Sequence, residues 1–164
     1  KALLGDSYVR GFLWTKMIRR KFLLGGFAVK GNDALFEDTC LSVFAFCQAS
    51  TFVYAPETLY RYTQEEGASA VRKPRTNRSQ YHLAAFASIR LYLQKEHPEL
   101  LPVFFGAKFR SYWSLWYDHT QDRKYGVSRK EIARYKKEFA DIFNPSKPLD
   151  IQGTSYSEKV GEAL

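Results

Sequence analysis

The sequence predicts a mainly helical α+β protein, and three observations point there. Of 164 residues, 45% are hydrophobic and 16% aromatic, which is enough apolar surface for a core and too much for a disordered chain. Residues 76–143 carry apolar side chains at helical spacings, punctuated by helix start and stop signals. Residues 51–55 and 58–63 are β-branched and aromatic runs divided by Pro56, which reads as two short strands.

The elements follow in order. Residues 12–24 read as a strand followed by a helix that Gly25-Gly26 stops. The next helix spans about 37–48, and Cys40, Leu41, Val43, Phe44, Ala45, Phe46 and Cys47 surround its circumference, so it should be buried. Beyond the two short strands, a helix over 78–96 places Tyr81, Ala85, Ile89 and Tyr92 on one stripe, with Pro98 past its end. A helix over 101–119 takes Pro102 in its first turn, where a missing N–H costs little. Residues 128–143 open with Ser128 and Glu131, the spacing of a capping box, and bury Ile132, Tyr135, Phe139, Ile142 and Phe143. Three textures result: a loop-rich part over 1–75, a helical part over 76–143, and a polar, turn-rich tail over 144–164 expected to be flexible.

Composition narrows function. The net charge of +8 invites anionic partners, but it divides as +4 over 1–75 and +4 over 76–164, with no basic tail. No apolar run approaches the roughly 20 residues of a membrane span. The first ten residues lack the long apolar stretch of a signal peptide, and a lysine at position 1 reads as a piece of a longer chain. Cys40 and Cys47 on one helix would stand roughly 10.5 Å apart, too far to bridge, and read as reduced thiols of a cytoplasmic protein. His82, His97 and His119 share no ligand spacing with each other or with the cysteines.

Among chemistry-bearing patterns, Glu37-Asp38 stands out. It opens the buried helix, where exposed N–H groups and the macrodipole should favour ionised carboxylates, and an ionised carboxylate there can serve as a general base. Acidic residues in a first turn are also ordinary helix capping. The run Lys16-Met17-Ile18-Arg19-Arg20-Lys21 could meet phosphates or be a solvated face. Phe104, Phe105, Phe109, Tyr112, Trp113, Trp116 and Tyr117 could stack bases or sugars, but their three- and four-residue spacing favours a helix core stripe. The basic helix over 128–143 could lie on anionic lipid, and a solvated face is the simpler reading.

Three segments in order carry a resemblance. Residues 10–20, with Gly11, Trp14 and Lys16, resemble the G-(Y/F)-x-W-N-K segment of bacterial family 2 glycosyltransferases. Phe36-Glu37-Asp38 is similar to that family's E-D motif, and Leu59-Tyr60-Arg61-Tyr62 with Gly67-Ala68-Ser69 to its P-L-Y-x-Y-R…S stretch. The resemblance covers about residues 2–70; residues beyond 76 match only as a variable helical C-terminal region. It implies the acceptor-side half of a GT-A domain, moving a sugar from a nucleotide-diphosphate donor to a glycan or lipid-linked acceptor, in surface polysaccharide or glycoconjugate synthesis. By the resemblance, Asp38 is the inverting general base, and Glu37, Trp14, Lys16, Arg61 and Ser69 belong to the donor and acceptor sites.

Thr15 and Thr63 depart from the family's usual Asn and Arg. The family's nucleotide half, with the D-x-D that holds Mg²⁺ or Mn²⁺, precedes the W-N-K segment, so this part alone should be inactive and bind no metal. The reading places the protein in the cytoplasm, peripheral at the inner face of the plasma membrane, with self-association through a face the missing half would cover and no nucleic-acid partner. The alternative is a basic helical module that binds nucleic acid or a membrane surface.

Overall fold

The computed structural model describes residues 12–23, 36–55, 57, 60–61 and 78–149. It is mainly helical, with no strand among the described residues. A 3-10 turn over Leu13–Thr15 and a single helical turn over Arg20–Leu23 precede helix α1 (Glu37–Gln48). Helices α2 (Arg78–Glu96), α3 (Leu101–Gly106), α4 (Lys108–Lys124) and α5 (Arg129–Ile142) follow.

The centre of the bundle is α2, which packs against α1, α3, α4 and α5. The single stripe expected over 78–96 is therefore a correction: every residue from His82 to Arg90 is buried. Small side chains make this feasible, since Ala84, Ala85, Ala87 and Ser88 let neighbouring helices approach α2 from several sides. Bulk comes from those neighbours. Phe44 of α1 meets Tyr92 at 4.4 Å between ring centroids, and Phe104 stacks on Phe143 at 4.6 Å. The core runs without a break from Cys40, Val43 and Phe44 to Phe139 and Ile142, so it crosses the 75/76 change of texture.

Several expectations need correction. The strand over 51–55 does not form: these residues lie outside helix and strand and are exposed, and with no strand to pair with among the described residues their N–H and C=O groups are left to water. Of the second run, 58–63, only Tyr60 and Arg61 are described, and they too are in neither helix nor strand. Nor does a strand form over 12–19. Gly25-Gly26 lie outside the described residues.

The helix expected over 101–119 is two helices broken at Ala107, directly after Gly106, a residue that costs a helix interior about 1 kcal/mol relative to Ala. The second runs on to Lys124, and a Schellman-type stop closes it: Gly126 adopts φ +98° and the Val127 amide donates to the Asp122 carbonyl at 2.9 Å. The capping box at α5 forms as expected, with Glu131 N–H donating to Ser128 Oγ at 3.2 Å and Ser128 N–H to Glu131 Oε2 at 3.2 Å.

The start of the expected flexible tail is held. Lys147 pairs with Asp141 at 2.7 Å, and its carbonyl accepts from Arg90. Residues 150–164 lie outside the described residues.

Candidate functional site

The 3-10 turn at 13–15 packs against α1, which brings the W-T-K segment alongside the acidic helix. Within the turn, Thr15 Oγ1 and Lys16 Nζ both donate to the Phe12 carbonyl at 2.7 Å. The aromatic rings line up beside it: Phe12 stacks on Trp14 at 5.4 Å, and Trp14 stacks on Tyr60 at 5.5 Å. Lys16 also stands 6.0 Å above the Phe46 ring of α1. Side chains from three separated segments thus lie together along the side of α1.

Asp38 lies in the first turn of α1 and is half-buried. Burial pushes its carboxyl above the ordinary range, while the Thr39 amide and hydroxyl and the Lys16 charge pull it part of the way back. The expectation that the helix end favours the ionised form is corrected in sign, because loss of hydration outweighs the stabilising N–H groups. Lys16 moves in the complementary sense: burial lowers its ammonium, and the nearby Asp38 charge partly restores it. A carboxylate whose basicity is raised by burial is a stronger proton acceptor than a fully hydrated one, and the neighbouring cation helps it carry its charge.

The residue before the acidic pair is strained. Phe36 has φ +71°, a left-handed backbone that a bulky L-residue rarely adopts. Its carbonyl accepts from the Thr39 amide at 3.1 Å, and its ring stacks on His82 of α2 at 4.1 Å between centroids. His82 is itself fixed, with Nδ1 donating to Asp118 Oδ2 at 2.7 Å and the ring stacking on Phe86.

That contact leads into a cluster that sequence reading missed. At the start of α2 and the end of α4, Asp118 also accepts from Arg78 Nε at 3.0 Å. Asp122 accepts from the Arg78 and Ser79 amides at 2.7 and 2.9 Å, so a carboxylate from α4 caps α2. Ser79 Oγ and His119 Nδ1 are hydrogen-bonded at 2.8 Å, while His119 Nε2 has no partner among the described residues. Burial, helped by the Lys136 charge, lowers the His119 pKa to about 4. The only sequence signal was charge placement: Asp118, His119 and Asp122 share one face of α4, yet His82 joins them only through the helix crossing.

The remaining expected site residues are not all brought together. Arg61 is exposed, beside Tyr60. Glu37 begins α1, but its side chain, like Ser69, lies outside the described residues. No group of three or more His, Cys, Asp or Glu side chains able to hold a metal ion occurs among the described residues. No helix of the described residues is long and apolar enough to cross a membrane. Compared with protein-family models, with curated proteins and with solved structures, the chain matches none.

Proposed function

We propose that the chain is the acceptor-side part of a GT-A glycosyltransferase of the family 2 type, passing a sugar from a nucleotide-diphosphate donor to an acceptor hydroxyl with inversion. One juxtaposition supports the reading: residues drawn from the three resembling segments lie together beside α1, with the Lys16 charge acting on Asp38 and Trp14 stacked on Tyr60. In this reading the Asp38 carboxylate accepts the proton of the acceptor O–H as that oxygen bonds to the anomeric carbon. The sugar–phosphate bond breaks with its electron pair leaving on the diphosphate. Lys16 offsets part of the cost of holding the Asp38 charge half-buried, and the Trp14–Tyr60 pair offers ring faces to a sugar. Nucleotide and metal binding fall, in the family's pattern, to the part preceding the W-N-K segment.

The test uses the chain extended upstream in its native reading frame, given Mn²⁺ or Mg²⁺ and a panel of nucleotide sugars. Acceptor-dependent nucleotide release should fall about 10²-fold or more in kcat for Asp38→Asn, as expected for a lost general base. The acid limb of kcat/KM should lie above the usual carboxylate range, as the burial of Asp38 dictates. Full activity in the variant would place the base elsewhere, and an upstream frame without a D-x-D would end the reading.

A further inference from the structure

The aromatic run expected as a core stripe divides in two. Phe104 is buried, and Phe105 and Tyr112 pack partly against the core. Phe109, Trp113, Trp116 and Tyr117 instead point outward, with 74%, 57%, 49% and 53% of their surface exposed. Spaced i, i+4, i+7 and i+8, they form one outer face of α4, opposite buried Leu115, Asp118 and Asp122.

The charges of α4 divide along the same line. Both carboxylates of the helix, Asp118 and Asp122, face inward and are occupied by Arg78, Ser79 and His82. All four of its Lys and Arg residues, Lys108, Arg110, Arg123 and Lys124, are exposed, and none forms a salt bridge among the described residues. Arg110, Arg123 and Lys124 lie on the aromatic side, while Lys108 follows the Leu115 side at the helix start, so the outer face of α4 is aromatic and purely cationic.

We infer that this face docks on an anionic lipid surface, with α4 lying in the plane of the interface. Trp and Tyr rings settle at the headgroup level, and flanking cations meet lipid phosphates. Charge and shape select this occupant. A second copy would set three cations against three cations with no carboxylate between them. A single-stranded nucleic acid needs open parallel ring faces. Here Phe109 and Trp113 meet edge to face at 84°, and Trp113 and Trp116 at 73°, giving a knobbed convex ridge rather than slots for bases.

The basic helix α5 offers the contrast, because its apolar stripe of Ile132, Tyr135, Phe139 and Ile142 is buried in the core. It presents cations without anchors. The inference stands independently of the glycosyltransfer reading.

The experiment is flotation of the whole chain with phosphatidylcholine vesicles, with and without about one-third phosphatidylglycerol, at 0.1 M salt. Binding is expected only with the anionic lipid. In a Trp14→Phe background, brominated acyl chains should quench Trp113 and Trp116. Arg110→Glu with Lys124→Glu should cut partitioning about 10- to 30-fold, and Trp113→Ser with Trp116→Ser at least tenfold. The equal charge change on α5, Lys130→Glu with Lys137→Glu, should cost less than threefold. Circular dichroism checks folding, and every substituted side chain is exposed. An absence of flotation, an equal loss from the α5 variant, or a concentration-dependent dimer lost in the Trp variant would overturn the inference. So would a single-stranded RNA oligonucleotide bound through α4 in place of vesicles.

Discussion

Two buried polar knots tie α2 to its neighbours, and they carry opposite charge. Near the middle of α2, Arg90 is 1% exposed and donates to the carbonyls of Asp141 and Ile142 at 2.9 and 2.8 Å, and to that of Lys147. Its guanidinium lies 5.3 Å from the Phe105 ring and closes the C-terminal end of α5, where orphan carbonyls and the macrodipole welcome a cation. At the start of α2 the sign reverses, and Asp122 satisfies the first amides of α2 itself. Each helix end is thus completed by a charge borrowed from another helix. The difference is in what else sits there. The Arg90 knot joins a permanent cation to backbone, whereas the acidic knot includes two imidazoles. Acid should act at one end of α2 and leave the other alone.

The largest effect should come from the basic knot. Arg90→Met keeps the bulk but strips partners from three carbonyls, and at about 1–3 kcal/mol for each group left unsatisfied, partly relieved by water, a loss of about 3–5 kcal/mol is expected in urea unfolding at pH 7. A loss below 1 kcal/mol would show that α5 closes without it. Second comes Asp122→Ala, which removes the acceptor for two buried amides of α2 and should cost about 2–3 kcal/mol. If the two knots were equivalent, these losses would match. The prediction is that the cation costs more, since it serves three acceptors and stacks on a ring.

The smallest effect separates the knots by pH. His119 is neutral in the fold, with a pKa of about 4 against the ordinary 6.5. At pH above 6.5 both folded and unfolded states hold it neutral, so its burial carries no proton penalty. As pH falls from 6.5 toward 4 only the unfolded state takes up the proton, and stability declines by on the order of 2 kcal/mol before levelling off. In His119→Gln that part of the decline should vanish, while in Arg90→Met it should persist unchanged. A wild-type stability flat across this range would mean that the imidazole finds a charged, solvated alternative. Lys136, Asp122, Asp118 and His82 all act on it.

Local signals made some of this legible. Ser128 and Glu131 named the start of α5 because a capping box is written within four residues, and Pro98 bounded α2 because a proline cannot continue the helix. The Cys40–Cys47 run announced a buried α1. What escaped depends on helix crossings. His82 and His119 are unrelated in sequence and become neighbours only where α2 meets α4. Arg90 reads as an ordinary cation of an amphipathic helix until α2 is seen to be surrounded. Spacing told that Phe109, Trp113 and Trp116 share a face, but not that the face looks outward, because Tyr112, Leu115 and His119 already turn the other side of α4 toward the core. At the site, the approach of the W-T-K segment to α1 and of Lys16 to Asp38 was anticipated only by resemblance, and the direction of the Asp38 shift needed its burial.

Phe36 makes the acidic pair a tenant of the helical region. Its left-handed backbone persists because its ring rests on His82, which Asp118 holds in turn. A gene cut at residue 75, along the change in sequence texture, would leave the E-D motif in one polypeptide and its support in another. Phe36 would then relax to a right-handed or extended backbone, and the first turn of α1, Asp38 with it, would lose its starting angle. Anyone transplanting the W-T-K and E-D segments onto another scaffold would have to carry α2 and the end of α4 along with them.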